Sequence, residues 1–220
     1  MIRDRLYVHG GGRRGADAWP HVLDPHARFV SFAAGASIVD QGDALARELT
    51  PGTLVFAHSI GAVPVALAAR RSSVAGLVLI EPALYDLARG HEAIERHIGI
   101  VTEARARASA GDIRGFWAIL RPLMFGGPFD DARWHEEQPL AARWASTNLP
   151  WGHGVRDRML DGVPALVVTG GWNEEYEVIA DRLAARGARR AVLAGAEHRP
   201  QDLPGFTGLV AEFEASLAVS

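Results

Sequence analysis

The chain has 220 residues, 48% hydrophobic and 22% charged, which suits one soluble globular domain with a sizeable core and room for an insertion. A net charge of -3 gives no reason to expect nucleic acid or an anionic membrane as partner, and the 23 basic residues are all Arg, a compositional bias. Zero cysteines exclude disulfides, thiolate metal sites and a cysteine nucleophile. Met1 to Val8 has no apolar leader region and no run reaches the length of a membrane helix, so a cytoplasmic protein is expected, or a mature form whose leader was removed. In chain order, Leu6 to Val8 reads as a short strand ending in His9-Gly-Gly-Gly12, and Ala27 to Phe32 as a second strand. Ser37 can cap a helix over Ile38 to Leu49, with Leu45 and Leu49 four apart, and Pro51-Gly52 stops it. Thr53 to Phe56 is a strand leading through Ala57-His58-Ser59-Ile60-Gly61 into a small, apolar helix. Val74 to Ile80 is a continuous apolar strand ending at Glu81-Pro82. Such runs, apolar on both faces, belong to a parallel sheet covered by helices.

From about Asp86 to Asp161 the character changes. His91 to Ala108, Asp112 to Leu123 and Asp131 to Ser146 read as helices, and this segment holds four of the six Trp residues: Trp117, Trp134, Trp144 and Trp151. The alternation then resumes. Val163 to Thr169 is a strand, Glu174 to Arg186 a helix, Arg190 to Ala194 a strand, and Phe206 to Leu217 a terminal helix. About six parallel strands are expected, with the segment of residues 86–161 inserted as a helical lid in a core of residues 1–85 and 162–220.

Residues 57 to 61 follow the pattern small-x-Ser-x-Gly, in which a strand turns into a helix within about one residue and leaves the serine at the tip in strained backbone. Large side chains two positions away would collide across that turn. Gly10-x-Gly12-x-x-Gly15 after a strand satisfies the dinucleotide-binding fingerprint, but Pro20 interrupts the helix it needs early. Phe29 to Gly35 also offers no acid for a ribose, so that reading is set aside. His91-Glu-Ala-Ile-Glu95 has half of a zinc signature. The next histidine, His97, is six residues on and across the helix, so the pair cannot share an ion and both read as surface residues.

Together, His9-Gly10 after the first strand, Ala57-His-Ser-Ile-Gly61, a helical segment after the next strand, and Gly195-Ala-Glu-His198 after the last strand resemble the α/β-hydrolase superfamily across nearly the whole chain. The resemblance implies a three-layer α/β/α sandwich that starts at the family's third strand, lacking the first two. It implies a serine hydrolase cleaving a carboxylic ester or related acyl bond through an acyl-enzyme, with Ser59 as nucleophile and His198 as base. Thioesterase, carbon–carbon hydrolase, lyase and non-catalytic ligand-binding readings share the same scaffold. The N–H groups of Gly11 and Ile60 would form the oxyanion hole. His58 is structural in such proteins and is expected to point away from the reaction centre. The acid is open between two carboxylates. Family members usually carry Asp in the loop after the penultimate strand, where this chain has Asn173 and Glu174, with Asn173 explained as a helix cap. Some lipases take the acid from the end of the strand after the nucleophile, where Glu81 stands. A carboxylate there is costly to bury unless paired, and His198 would pair it, so Glu81 is favoured and Glu174 is the alternative. No metal or organic cofactor is required. The expected partner is a small, mainly apolar ester-like substrate, without nucleic acid or membrane, and a homodimer is allowed.

Overall fold

The computed structural model describes residues 4–69 and 72–217. Six strands form one sheet: β1 (Arg5–Val8), β2 (Arg28–Phe29), β3 (Leu54–His58), β4 (Gly76–Ile80), β5 (Ala165–Thr169) and β6 (Arg189–Val192), in the spatial order β2-β1-β3-β4-β5-β6. Every neighbouring pair is parallel. Parallel neighbours require crossovers, and helices supply most of them, among them α1 (Ile38–Glu48), α2 (Ala62–Ala69) and α6 (Glu174–Ala184); α7 (Gly205–Ser216) follows the last strand. β2 is far shorter than the six-residue run its sequence suggested. Being at the edge, it has only β1 to pair with, and the register ends at Tyr7 opposite Phe29, followed by one bond from Val30 N–H to the Tyr7 carbonyl (2.9 Å).

Strands β3, β4 and β5 are buried on both faces. Alternate residues Leu54, Phe56, Val78, Ile80, Leu166 and Val168 meet Val210 and Phe213 of α7 on one side. Their neighbours Val55, Ala57, Leu77, Leu79 and Val167 are equally buried on the other. This is a three-layer α/β/α sandwich. The helix ends follow local chemistry. Ser37 accepts the Asp40 N–H while the Asp40 side chain accepts the Ser37 N–H, a reciprocal cap that opens α1.

The chain divides into two compact units, residues 1–88 with 149–220, and residues 89–148. The second unit consists of α3 (Glu92–Ser109), α4 (Ile113–Phe125) and α5 (Trp134–Ala145), with α4 packed against both others. Within it, Phe125 lies between Trp117 and Trp144, at centroid distances of 5.4 and 5.6 Å, and Trp117 Nε1 donates to Glu137 Oε2 (2.6 Å). His97 is buried here, not on the surface as expected. It shares the inner stripe of α3 with Ile94, Val101 and Ala104, at three- and four-residue spacing. His91 is the N-cap of the same helix, accepting the Ala93 N–H. Where the first unit resumes, the Asp86 carboxylate gathers four backbone N–H groups, from Gly152 (2.8 Å), His153 (3.1 Å), Gly154 (2.8 Å) and Val155 (3.2 Å).

Candidate active site

The site lies at the C-terminal ends of the parallel strands, where the loops after β1, β3, β4, β5 and β6 converge. β3 runs into a single 3₁₀ turn, Ser59–Gly61, and then into α2. Ser59 has φ = 54°, the left-handed region that a non-glycine residue adopts only under constraint. The close approach that forces this turn is visible at Gly61: a Cβ there would stand 2.5 Å from the His9 carbonyl oxygen at the end of β1. Ala57, on the other side of the serine, is fully buried.

Two other non-glycine residues among those described have positive φ, Glu81 (44°) and Glu197 (46°). One is the carboxylate at the end of β4 and the other immediately precedes His198. All three strained positions therefore fall on, or next to, the residues expected to form a triad.

Glu81 is fully buried, and each of its oxygens is hydrogen-bonded. Oε1 accepts the Gly170 N–H (2.6 Å); Oε2 accepts Trp172 Nε1–H (3.0 Å) and lies 3.3 Å from His198 Nδ1. Burying a carboxylate is costly without such partners, and here three donors compensate it. His198 is about one-third exposed and so has an open side. The structure thus brings Glu81 to the histidine. Glu174 is the exposed first residue of α6, whose cap is Asn173 accepting the Glu175 N–H (2.8 Å). The loop after β5, where such folds usually carry the acid, instead donates hydrogen bonds to a carboxylate on the neighbouring strand. Gly170 makes this possible. A Cβ there would stand 2.1 Å from the Glu197 carbonyl oxygen, so the two loops touch backbone to backbone.

His58 departs from expectation. Its ring does not point away but lies 4.7 Å from that of His198, and its Nε2 donates to the His198 carbonyl oxygen (2.8 Å). Burial, followed by the proximity of His198, holds its pKa well below the ordinary histidine value, so it stays neutral. A neutral ring with its proton on Nε2 suits a strut that holds the His198 loop. His9 is also buried; its Nδ1 donates to the Gly10 carbonyl (2.7 Å), and burial lowers its pKa. The Gly11 N–H has no hydrogen-bond partner among the described residues, and Ile60 lies in the first turn after the strand, where helical N–H groups lack internal partners.

The sequence does not single out Tyr176, which the structure places on the buried stripe of α6 with Ile179, Ala180 and Leu183. In the structure its ring lies 5.0 Å from that of His198 and 6.1 Å from that of Trp172, and burial raises the pKa of its phenol. His58, next to Ser59, bonds to the His198 carbonyl, and the Ser59 carbonyl accepts the Ala83 N–H (3.1 Å) just beyond Glu81, which gathers Ser59, Glu81 and His198 at one end of the sheet. A cavity of about 520 Å³ within the first unit lies elsewhere, walled by Tyr7, Trp19, Phe56, Phe206 and Val210; none of Ser59, Glu81 and His198 lines it.

This is the α/β-hydrolase fold. Solved structures match it over almost the whole chain at low identity. MenH from S. aureus is 14% identical with a TM-score of 0.64, over 99% of this chain and 96% of that one. A carboxylesterase structure from the thaumarchaeon Nitrososphaera gargenis is 16% identical with a TM-score of 0.61, over 97% and 90%. The carboxylesterase CesB (YbfK) from Bacillus subtilis is 17% identical with a TM-score of 0.54, over 96% and 83%. No family model matches the sequence, and no curated protein matches it.

Proposed function

We propose that the protein is a serine hydrolase of carboxylic esters or related acyl compounds, with Ser59 as nucleophile, His198 as base and Glu81 as the acid. The observation that carries this reading is the fully buried Glu81 carboxylate at His198 Nδ1, beside a serine held at a left-handed turn. With Nδ1–H directed at Glu81, the Nε2 lone pair of His198 is left to accept the Ser59 proton. Ser59 Oγ then attacks the acyl carbon, and the N–H groups of Gly11 and Ile60 stabilise the oxyanion, a contribution of about 3 kcal/mol per donor. His198 returns the proton to the leaving group, then activates water to release the acyl group. Glu174 takes no part, and no metal or organic cofactor enters these steps.

The substrate proposed is small and mainly apolar. The segment of residues 89–148 follows β4 in the chain, the place a lid takes in this fold, and is proposed as one; its ends lie inside the 86–161 span read from sequence. No described helix is long and apolar enough to cross a membrane, and a cytoplasmic location belongs to the same reading. A fluorophosphonate reagent, which phosphonylates activated serines, tests it. The wild-type chain should label stoichiometrically and Ser59→Ala should not; an unlabelled wild type would sink the assignment.

A further inference from the structure

The connection from β1 to β2 contains one 3₁₀ turn, Gly15–Ala18, and no α-helix. The face that β1 and β3 turn toward α7 is therefore covered there by loop, and the cavity of about 520 Å³ lies between them. It has the size of a small-molecule site, and the rings of Tyr7, Trp19, Phe56 and Phe206 line it. Two of its lining side chains are deeply buried and have polar atoms with nothing to bond. Trp19 is 3% and Gln201 7% exposed, and neither Trp19 Nε1 nor Gln201 Oε1 or Nε2 has a hydrogen-bond partner among the described residues. Five buried side-chain nitrogen and oxygen atoms are in that condition among the described residues, and these three belong to side chains of one cavity. Folded proteins pair about nine in ten of such groups, so three exceptions in one place point to a partner that comes from outside the chain. The acidic and basic side chains of the walls are, by contrast, satisfied. Arg5 holds Glu214 through Nε (3.0 Å) and Nη2 (2.9 Å) and lies 3.8 Å from Asp24, while Asp202 is paired with Arg199. With Arg5 set against two carboxylates, the wall offers no cation to an anionic ligand.

We propose that this cavity is a binding site for a neutral aromatic carboxamide, whose ring packs among Tyr7, Trp19, Phe56 and Phe206 and whose amide pairs with that of Gln201. The Gln201 side chain turns its amide toward the cavity to make that pair. A primary amide presents an N–H and a carbonyl side by side, as Gln201 does, so the two form complementary hydrogen bonds. A carboxylate of the same shape has no proton for Gln201 Oε1 and sets oxygen against oxygen. Trp19 Nε1–H remains as a further donor. The site is separate from that at Ser59, yet it adjoins the segment carrying His198. Gln201 is the third residue after His198, and Arg199 Nη2 donates to the carbonyl of Ala18, beside Trp19 in the chain (2.9 Å). The Trp19 ring also stands edge-on to that of His58, at 6.4 Å. The inference does not depend on the reaction proposed for Ser59.

Titration of the ¹⁵N-labelled chain with 2-naphthamide, followed by NMR, tests it. Saturable binding is expected with Kd on the order of 100 µM, as suits a ligand of that size. The indole N–H signal of Trp19 and the backbone amide of Gln201 should move, and the indole signal of Trp172, beside Glu81, should not. 2-Acetonaphthone keeps the ring and carbonyl but replaces the NH₂ group by a methyl, and should bind about tenfold more weakly; 2-naphthoate should bind more weakly still. Gln201→Leu keeps the volume and removes the amide. It should abolish the preference for naphthamide over acetonaphthone without lowering Tm, because an unsatisfied buried amide contributes nothing to the fold. Absence of saturable binding overturns the proposal, as does a preference that survives Gln201→Leu. A Tm several degrees lower in that variant would mean that the amide is already bonded within the fold, and overturns it too. Movement of the Trp172 signal without that of Trp19 would place the ligand at the Ser59 site instead, with the same consequence.

Discussion

Glu81→Gln changes one oxygen to an NH₂ group and nothing in shape, yet the geometry allows it no good arrangement. Gly170 N–H at 2.6 Å requires an oxygen at the Oε1 position, which fixes the way the amide faces. The NH₂ group then meets Trp172 Nε1–H and His198 Nδ1–H, two donors, at the position where Oε2 accepted both. Trp172 cannot change its proton, but His198 can. It relieves the clash by moving its proton to Nε2, with Nδ1 now accepting from the amide. That tautomer has no lone pair toward Ser59. The expected loss is 10³–10⁴-fold in kcat, about 4–5.5 kcal/mol of barrier, the size found when a triad acid is replaced by its amide. Initial rates with a p-nitrophenyl ester, with labelling by the fluorophosphonate as a second readout, measure it. Glu174→Gln, on the exposed first turn of α6, should stay within a few fold of wild type. A Glu81→Gln enzyme within tenfold of wild type, or a larger loss in Glu174→Gln, would refute the assignment of the acid.

Two further outcomes concern stability. His9 and His58 are both buried and neutral in the fold, with pKa values lowered, whereas in the unfolded chain they titrate near the ordinary value of about 6.5. Below that pH the unfolded state binds more protons, so unfolding free energy should fall with decreasing pH, by up to about 1.4 kcal/mol per unit for each histidine, until the folded-state pKa values are passed. Urea unfolding between pH 7.5 and 5 reads this slope, His58→Asn should flatten it, and a flat wild-type profile would contradict the buried neutral state. Gly170→Ala puts a methyl group where the Glu197 carbonyl stands, and relief means separating the loops that hold Glu81 and His198. A cost of about 1–3 kcal/mol, roughly 3–10 °C in Tm, is expected together with loss of esterase activity; unchanged melting and turnover would show that the loops are not in contact.

Much of this was legible in the residue order because the signals are local. The α1 cap needs only Ser37 and Asp40, the α6 cap only Asn173, and the elbow only the small residues around Ser59. The sheet was readable because β3, β4 and β5 are apolar at every position but His58 and Thr169 at their ends, as suits strands buried on both faces. What escaped depends on partners far away in the chain. β2 looked six residues long because hydrophobicity reports burial, whereas strand length is set by what lies alongside. Tyr176 counts as core by its spacing, and nothing in a 3.6-residue period tells a ring that packs on Leu from one that lies against His198. The contact of His58 with the His198 carbonyl spans 140 positions and left no trace in either segment. Glu81 could be favoured over Glu174 only slightly, because the choice rests on where Trp172 and Gly170 send their N–H groups.

The hold of Asp86 on residues 152–155 reaches beyond its four hydrogen bonds. It joins the departing and the returning chain within the same unit, so the polypeptide between them is a bight tied off at its base. The free energy of closing such a bight grows only with the logarithm of its length. The sheet therefore senses where the excursion starts and ends far more than how long it is or what it contains. Segments of other lengths and sequences could be spliced between the tied ends while β4 and β5 remain side by side. A fold arranged in this way can exchange the inserted segment and leave the proposed site at Ser59 in place.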